Sequence, residues 1–97
     1  MFREAPPVTA HRATMRTPLG RARPGFHGKI EAIEATDDES GLSPEELERR
    51  LIELGFVEGA SVEILHEGLI GHDPIAVRVD SATVALRRRE AMAILVV

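Results

Sequence analysis

The chain has no cysteine, tryptophan or tyrosine among its 97 residues. Without cysteine, disulfides, thiolate metal sites and cysteine nucleophiles are excluded, and a reducing compartment is permitted. Three Phe are the only aromatics, so the stacking platforms of single-strand nucleic-acid binders are missing. No apolar run approaches the roughly 18–20 residues that span a bilayer. The first residues carry arginines but no apolar core segment and do not read as a secretory signal. No Gly-x-x-x-x-Gly-Lys-Ser/Thr phosphate loop occurs.

Positive charge is also scarce over most of the chain. Up to Lys29 there are six basic residues (Arg3, Arg12, Arg16, Arg21, Arg23, Lys29) against Glu4 alone; from Ile30 onward there are six basic and fifteen acidic. A leader of +5 thus precedes a body of −9, and such a body is unsuited to neutralising phosphates, which argues against nucleic acid as a partner. Nucleophilic catalysis needs a hydroxyl beside an oriented base. Ser40, Ser43, Ser61 and Ser81 all have turn, cap or strand-surface explanations, and the many carboxylates read as a solvated face. No catalytic residue is assigned, and the chain does not read as an enzyme.

What is present is a periodic body behind an aperiodic start. Residues 1–16 read as a basic, disordered tail, with residues 17–97 forming the domain. Thr17 to Gly28 is a run of turns in which Leu19 is a candidate anchor. Lys29 to Ala35 reads as a strand; Ile30 and Ile33 both face inward only if a bulge intervenes, and a short helix competes. Thr36 to Gly41 is an acidic loop.

Leu42 to Phe56 carries the strongest helix signals. Ser43 is an N-cap, Pro44 fits the first helical position, and Glu46 completes a capping box. Leu47, Leu51 and Leu54 make a buried stripe, and Gly55 is a left-handed C-cap. Ile52 lies off the stripe, either at its edge or as a contact residue. Ala60 to His66 reads as a strand, and Ile75–Val79 and Val84–Leu86 as a hairpin turning at Asp80-Ser81-Ala82. A helical turn at Arg87–Ile94 and a closing strand Leu95–Val97 come next. The expected fold is mainly β with a helix: a small, partly open β-barrel of about five short strands, one capping α-helix and one short C-terminal helical turn.

Functional candidates gather at the margins of the hairpin. The loop entering it has an apolar tip, Leu69-Ile70, with few intramolecular duties. His66, Glu67, His72 and Asp73 bracket the same loop; two imidazoles and a carboxylate suit zinc or iron, although the spacing matches no known ligand pattern. The turn leaving it holds Arg87, Arg88 and Arg89, which read as a solvated face with Arg87 or Arg88 paired to nearby acids such as Glu90 or Glu48, or as an arginine finger. No cofactor is required; a divalent transition metal is an option. Unpaired sheet edges and the apolar loop make weak homo-oligomers an expectation.

Three blocks together resemble the FeoA family of ferrous iron transport. They are Leu51-Ile52-Glu53-Leu54-Gly55-Phe56 with Ala60-Ser61-Val62-Glu63-Ile64-Leu65, then Gly71-His72-Asp73-Pro74-Ile75-Ala76-Val77-Arg78-Val79, then Ala85 to Ile94 with its Leu86-Arg87-x-x-Glu90-Ala91-x-x-Ile94 pattern. The resemblance runs from about Thr17 to Val97 and departs at Ser81, where glycine is expected in the turn. It implies an SH3-like barrel and a cytoplasmic accessory role. It also implies a partner, the cytosolic GTP-binding portion of the FeoB-type transporter, with the membrane reached only through that partner. On this reading Leu69, Ile70, Ile52, Arg87, Arg88 and Arg89 are candidate partner contacts. The alternative is a stand-alone SH3-like domain related to the C-terminal domains of iron-dependent repressors, binding a peptide or a divalent metal through His66, Glu67, His72 and Asp73.

Overall fold

The computed structural model describes residues 15–36 and 41–97. Its strands are β1 (Thr17–Pro18), β2 (His27–Ile33), β3 (Ser61–Glu67), β4 (Ile75–Val79), β5 (Ala82–Leu86) and β6 (Ile94–Val96). Two α-helices, α1 (Pro44–Glu53) and α2 (Arg88–Ala91), and a 3-10 turn at Leu19–Arg21 complete it. The expected tail falls almost wholly outside the described residues, as does most of the expected acidic loop. Arg16, at the start of the described part, pairs with Glu31 and Glu34, both at 3.3 Å.

The helix forms where its signals lie. Ser43 accepts from the Glu46 N–H at 3.2 Å, and Glu46 returns the bond to the Ser43 N–H at 3.3 Å. Gly55, at φ 105°, ends the helix in the left-handed region. Its N–H donates to Ile52 O and the Phe56 N–H to Leu51 O, the paired bonds that satisfy a helix C-terminus. Phe56 thereby folds under the last turn and is fully buried, beside Leu47 and Leu51. Each such burial contributes about 1.5–3 kcal/mol relative to exposure.

The strands alternate as a half-buried sheet requires. Val62 and Ile64 of β3 and Ile75, Val77 and Val79 of β4 enter the core. In β2 the register with β6 shifts between Ile30 and Ala32, so the strand is bulged and the short helix does not form there. The β4–β5 turn places its positive φ on Asp80, at 53°. Asp80 also accepts the Ser61 N–H on its carboxylate at 3.1 Å. A turn whose left-handed residue is the first of the two has no need of glycine at Ser81.

The barrel expectation is corrected. The strands form one antiparallel sheet in the order β1-β6-β2-β3-β4-β5, and its edges β1 and β5 do not pair, so it stays open. Among the described residues there are six strands, since Thr17–Pro18 adds to β6, and with two α-helices the fold is mixed α and β. The open seam has its physical reason in the helical segment attached to each edge strand. β1 is two residues long, ends at Pro18, which has no N–H to offer, and runs straight into the 3-10 turn. β5 runs straight into α2. The 3-10 turn and α2 pack on each other, so helical packing occupies the place where strand hydrogen bonds would close a barrel. Leu19, read as a candidate anchor, is fully buried in this seam.

The seam is tight at Gly20. A Cβ there would collide with the Arg88 carbonyl oxygen and crowd Met92. Gly20→Ala is expected to lose about 1–3 kcal/mol through this overpacking. Urea unfolding followed by circular dichroism measures it; a wild-type midpoint would show that the seam yields.

Candidate functional site

The loop from Gly68 to Pro74 and the start of α2 form one polar assembly around Arg88. The fold brings Arg88 there because β5 delivers α2 directly against the base of the β3–β4 loop. The Arg88 side chain is four-fifths buried, and its guanidinium donates to four oxygens. Nε reaches His72 O at 2.7 Å, Nη1 reaches Ala22 O at 2.7 Å and Gly20 O at 3.1 Å, and Nη2 reaches Glu67 Oε1 at 2.6 Å. The Arg88 N–H donates to Asp73 Oδ1 at 2.9 Å, so Asp73 caps the first turn of α2 from another element. Glu67 Oε2 is 2.9 Å from His72 Nδ1. The backbone bond from Gly68 N to Pro74 O closes the loop at its base, and His72 holds φ 60° at its exit.

The candidate residues are thus placed unequally. Glu67, His72, Asp73 and Arg88 come together. His66 is exposed on β3 and takes no part. Arg87 and Arg89 are exposed; Arg88 is committed internally. The expected pairing of Glu90 with Arg87 or Arg88 is replaced: buried Glu90 binds Arg50 of α1 at 2.9 Å and the Arg87 backbone N–H at 3.1 Å. Leu69 is wholly exposed and Ile70 is 91% exposed. Ile52 is 45% exposed and, with Val57, borders a shallow recess over Ile33 and Phe56 that is edged by Glu48 and Glu58.

Burial raises the Glu67 pKa, but the hydrogen bonds and charges of His72 and Arg88 outweigh it and hold the carboxyl below its ordinary value. A second recess, of about 320 Å³, opens beside this pair, lined by Arg21, Arg23, Gly71 and His72 among others. Among the described residues no three His, Asp or Glu side chains converge as a metal site. Of the four metal candidates, Glu67 and His72 alone touch. One Glu67 oxygen is taken by Arg88, and the Asp73 carboxylate is spent on α2.

Sequence reasoning missed the role of Arg88. The available signals were indirect: Gly20 and Gly68, glycines at places where a side chain would strike backbone, and Asp73 immediately before proline. Nothing in an Arg-Arg-Arg run says which guanidinium turns inward.

A model of the FeoA domain matches residues 17–97. The chain belongs to the FeoA family. FeoA domains are small, non-catalytic accessory domains of ferrous iron transport, and this chain takes that class. Among solved structures, iron(II) transport protein A from Clostridium thermocellum is 30% identical with a TM-score of 0.67, over 84% of this chain and 45% of that one. Stenotrophomonas maltophilia FeoA, complexed with zinc and termed an SH3 domain protein, is 29% identical with a TM-score of 0.66, covering 86% and 89%. A manganese-dependent transcriptional repressor is 28% identical with a TM-score of 0.67, covering 86% of this chain and 41% of the repressor. No curated protein matches at a significant level. Among the described residues, no helix is long and apolar enough to cross a membrane.

Removing the guanidinium leaves carbonyls of the seam and loop short of donors. Arg88→Ala is expected to cost at least about 3 kcal/mol, and Arg88→Lys to recover only part, since one ammonium cannot reproduce the planar fork. Chemical denaturation measures both; equal stability of all three proteins would dissociate Arg88 from the fold. For Glu67, a folded pKa below the unfolded one means its stabilisation is full above the ordinary carboxylate range and is lost as pH falls through the lower folded value. Glu67→Gln is therefore expected to flatten the acid limb of stability below the ordinary carboxylate range. A variant with an acid limb as steep as wild type in a pH series of urea melts would assign that limb to other carboxylates.

Proposed function

We propose that this chain binds the cytosolic GTP-binding portion of a FeoB-type ferrous iron transporter through its β3–β4 loop, and that it works at the inner face of the membrane by way of that partner. The observation that supports this is the loop itself. Two large aliphatic side chains, Leu69 and Ile70, stand in solvent at the tip of a segment whose base is fastened by the Gly68–Pro74 backbone bond and by Arg88. Exposed aliphatic pairs on an anchored loop have no packing role and fit a contact that removes them from water. The Stenotrophomonas relative, put forward as a ferrous iron transport activating factor, points the same way. Exposed Arg87, just before α2, and exposed Arg89 on it are further candidate contacts that would supply charge; Ile52 lies on α1.

Zinc or iron binding, where it occurs, draws on His72 and Glu67, the pair already in contact. Likeness to the manganese-dependent repressor favours this second reading, but this chain spans less than half of that protein.

Leu69→Asp is expected to weaken binding to the transporter's cytosolic domain at least about tenfold, the range of a truncated hot spot, with an unchanged melting temperature. Titration calorimetry against that domain, with GDP and with a GTP analogue, is the measurement. Undiminished affinity of Leu69→Asp would remove the loop from the interface. Absence of binding by the wild type in both nucleotide states would remove the partner.

A further inference from the structure

The two edges of the sheet are protected to very different degrees. β1 ends in Pro18 and is two residues long, a blunt edge. β5 is Ala82-Thr83-Val84-Ala85-Leu86, with no charge, no proline and no bulge, which are the usual means of guarding an edge. The register shows which of its backbone groups are free. Asp80 N donates to Ser61 O, so the even-numbered residues of β4 bond to β3 and the odd-numbered ones to β5. Val79, Val77 and Ile75 stand opposite Ala82, Val84 and Leu86. The N–H and C=O groups of Thr83 and Ala85 therefore point away from the sheet. At Arg87 the free edge ends, because its N–H goes to Glu90 and its C=O takes the first bonds of α2.

We propose that β5 pairs antiparallel with β5 of a second copy of this chain, about a twofold axis through Val84, joining the two sheets edge to edge. The edge is self-complementary in that register. Thr83 faces Ala85 of the other copy as a hydrogen-bonded pair on each side of the axis, and Val84 faces Val84 between them. The same superposition sets exposed Arg87 of one copy beside the Asp80-Ser81 turn of the other, twice. Arg87 has no guanidinium partner among the described residues, and the exposed Asp80 carboxylate supplies one. An extended peptide of another protein would meet the same backbone groups, but it would not bring these two opposite charges to both ends. Because only a short strand is shared, the dimer is weak and forms at high protein concentration. The β3–β4 loop lies outside this pairing, so Leu69→Asp, which tests the transporter contact, leaves the dimer edge intact, and the two readings are distinguished by separate variants although Arg87 belongs to both.

The test is sedimentation equilibrium of the full chain from about 10 µM to about 1 mM, a range suited to weak association. Thr83 and Ala85 side chains are exposed, so substitutions there spare the core. Thr83→Lys with Ala85→Lys sets like charges opposite each other across the axis. It is expected to raise the dissociation constant roughly tenfold. Thr83→Lys with Ala85→Glu sets opposite charges across the same axis and is expected to dimerise at least as well as wild type. Thermal melts at about 10 µM confirm that each variant folds, within the same concentration range. Monomeric wild type at the top of the range, or equal weakening by both double variants, would overturn the proposal. Selective protection of the Thr83 and Ala85 amides from hydrogen exchange as concentration rises would confirm the register.

Discussion

One guanidinium holds this structure's seam. Arg88 lies where the 3-10 turn, the β3–β4 loop and α2 meet, and the turn and the loop have carbonyl oxygens facing inward there. Unpartnered, those oxygens would cost about 1–3 kcal/mol apiece. A planar cation with donors fixed in a fork can satisfy several at once, which a lysine cannot. The arrangement in turn needs a counter-charge close by, and Glu67 provides it at 2.6 Å. His72 on the other Glu67 oxygen and Asp73 on the Arg88 backbone complete a chain of bonds that ties sheet edge, loop and helix into one body.

That body explains why the sheet can remain open. Pairing β1 to β5 would satisfy the edges with backbone bonds but would leave Leu19 and the underside of α2 without a place. Packing the 3-10 turn on α2 buries them both. Membership in the FeoA family and likeness to an SH3 domain protein are compatible with a sheet that is hydrogen-bonded along one continuous, unclosed order. Glu90 does for the far side of α2 what Glu67 does for the near side: buried, it joins Arg50 of α1 and the Arg87 N–H, so both helices are held to a common acid.

Legibility in the sequence tracked the range of the interactions. Helix α1 was readable in its Ser43 cap, its buried Leu47 and Leu51 and its Gly55 stop, because caps and stripes act within a few positions, although Leu54, expected in the same stripe, is only half-buried. The bulge in β2 was readable from the spacing of Ile30 and Ile33. β1 was not, since two residues ending in proline carry no period; it exists because β6 offers it a partner. The closure of the fold was misjudged for the same reason, as it depends on two elements about seventy positions apart in sequence. At the candidate site, the apolar tip at Leu69-Ile70 could be seen in advance. The partners of Glu67, Asp73, Arg88 and Glu90 could not, because they are set by which faces of the loop and of α2 the fold turns toward each other.

The loop has a polar root and an apolar tip, and the two respond to different conditions. A contact made at Leu69 and Ile70 would be a matter of excluded water and would contain no charge for salt to screen. The root is held by ions: Arg88 with Glu67, and Glu67 with His72 when the imidazole carries a proton. His72 is largely open to solvent, so its share is screened as ionic strength rises. Whatever meets the tip therefore meets a better-fixed target in dilute electrolyte than in concentrated electrolyte. An aliphatic contact here acquires a salt dependence that belongs to its support and not to itself.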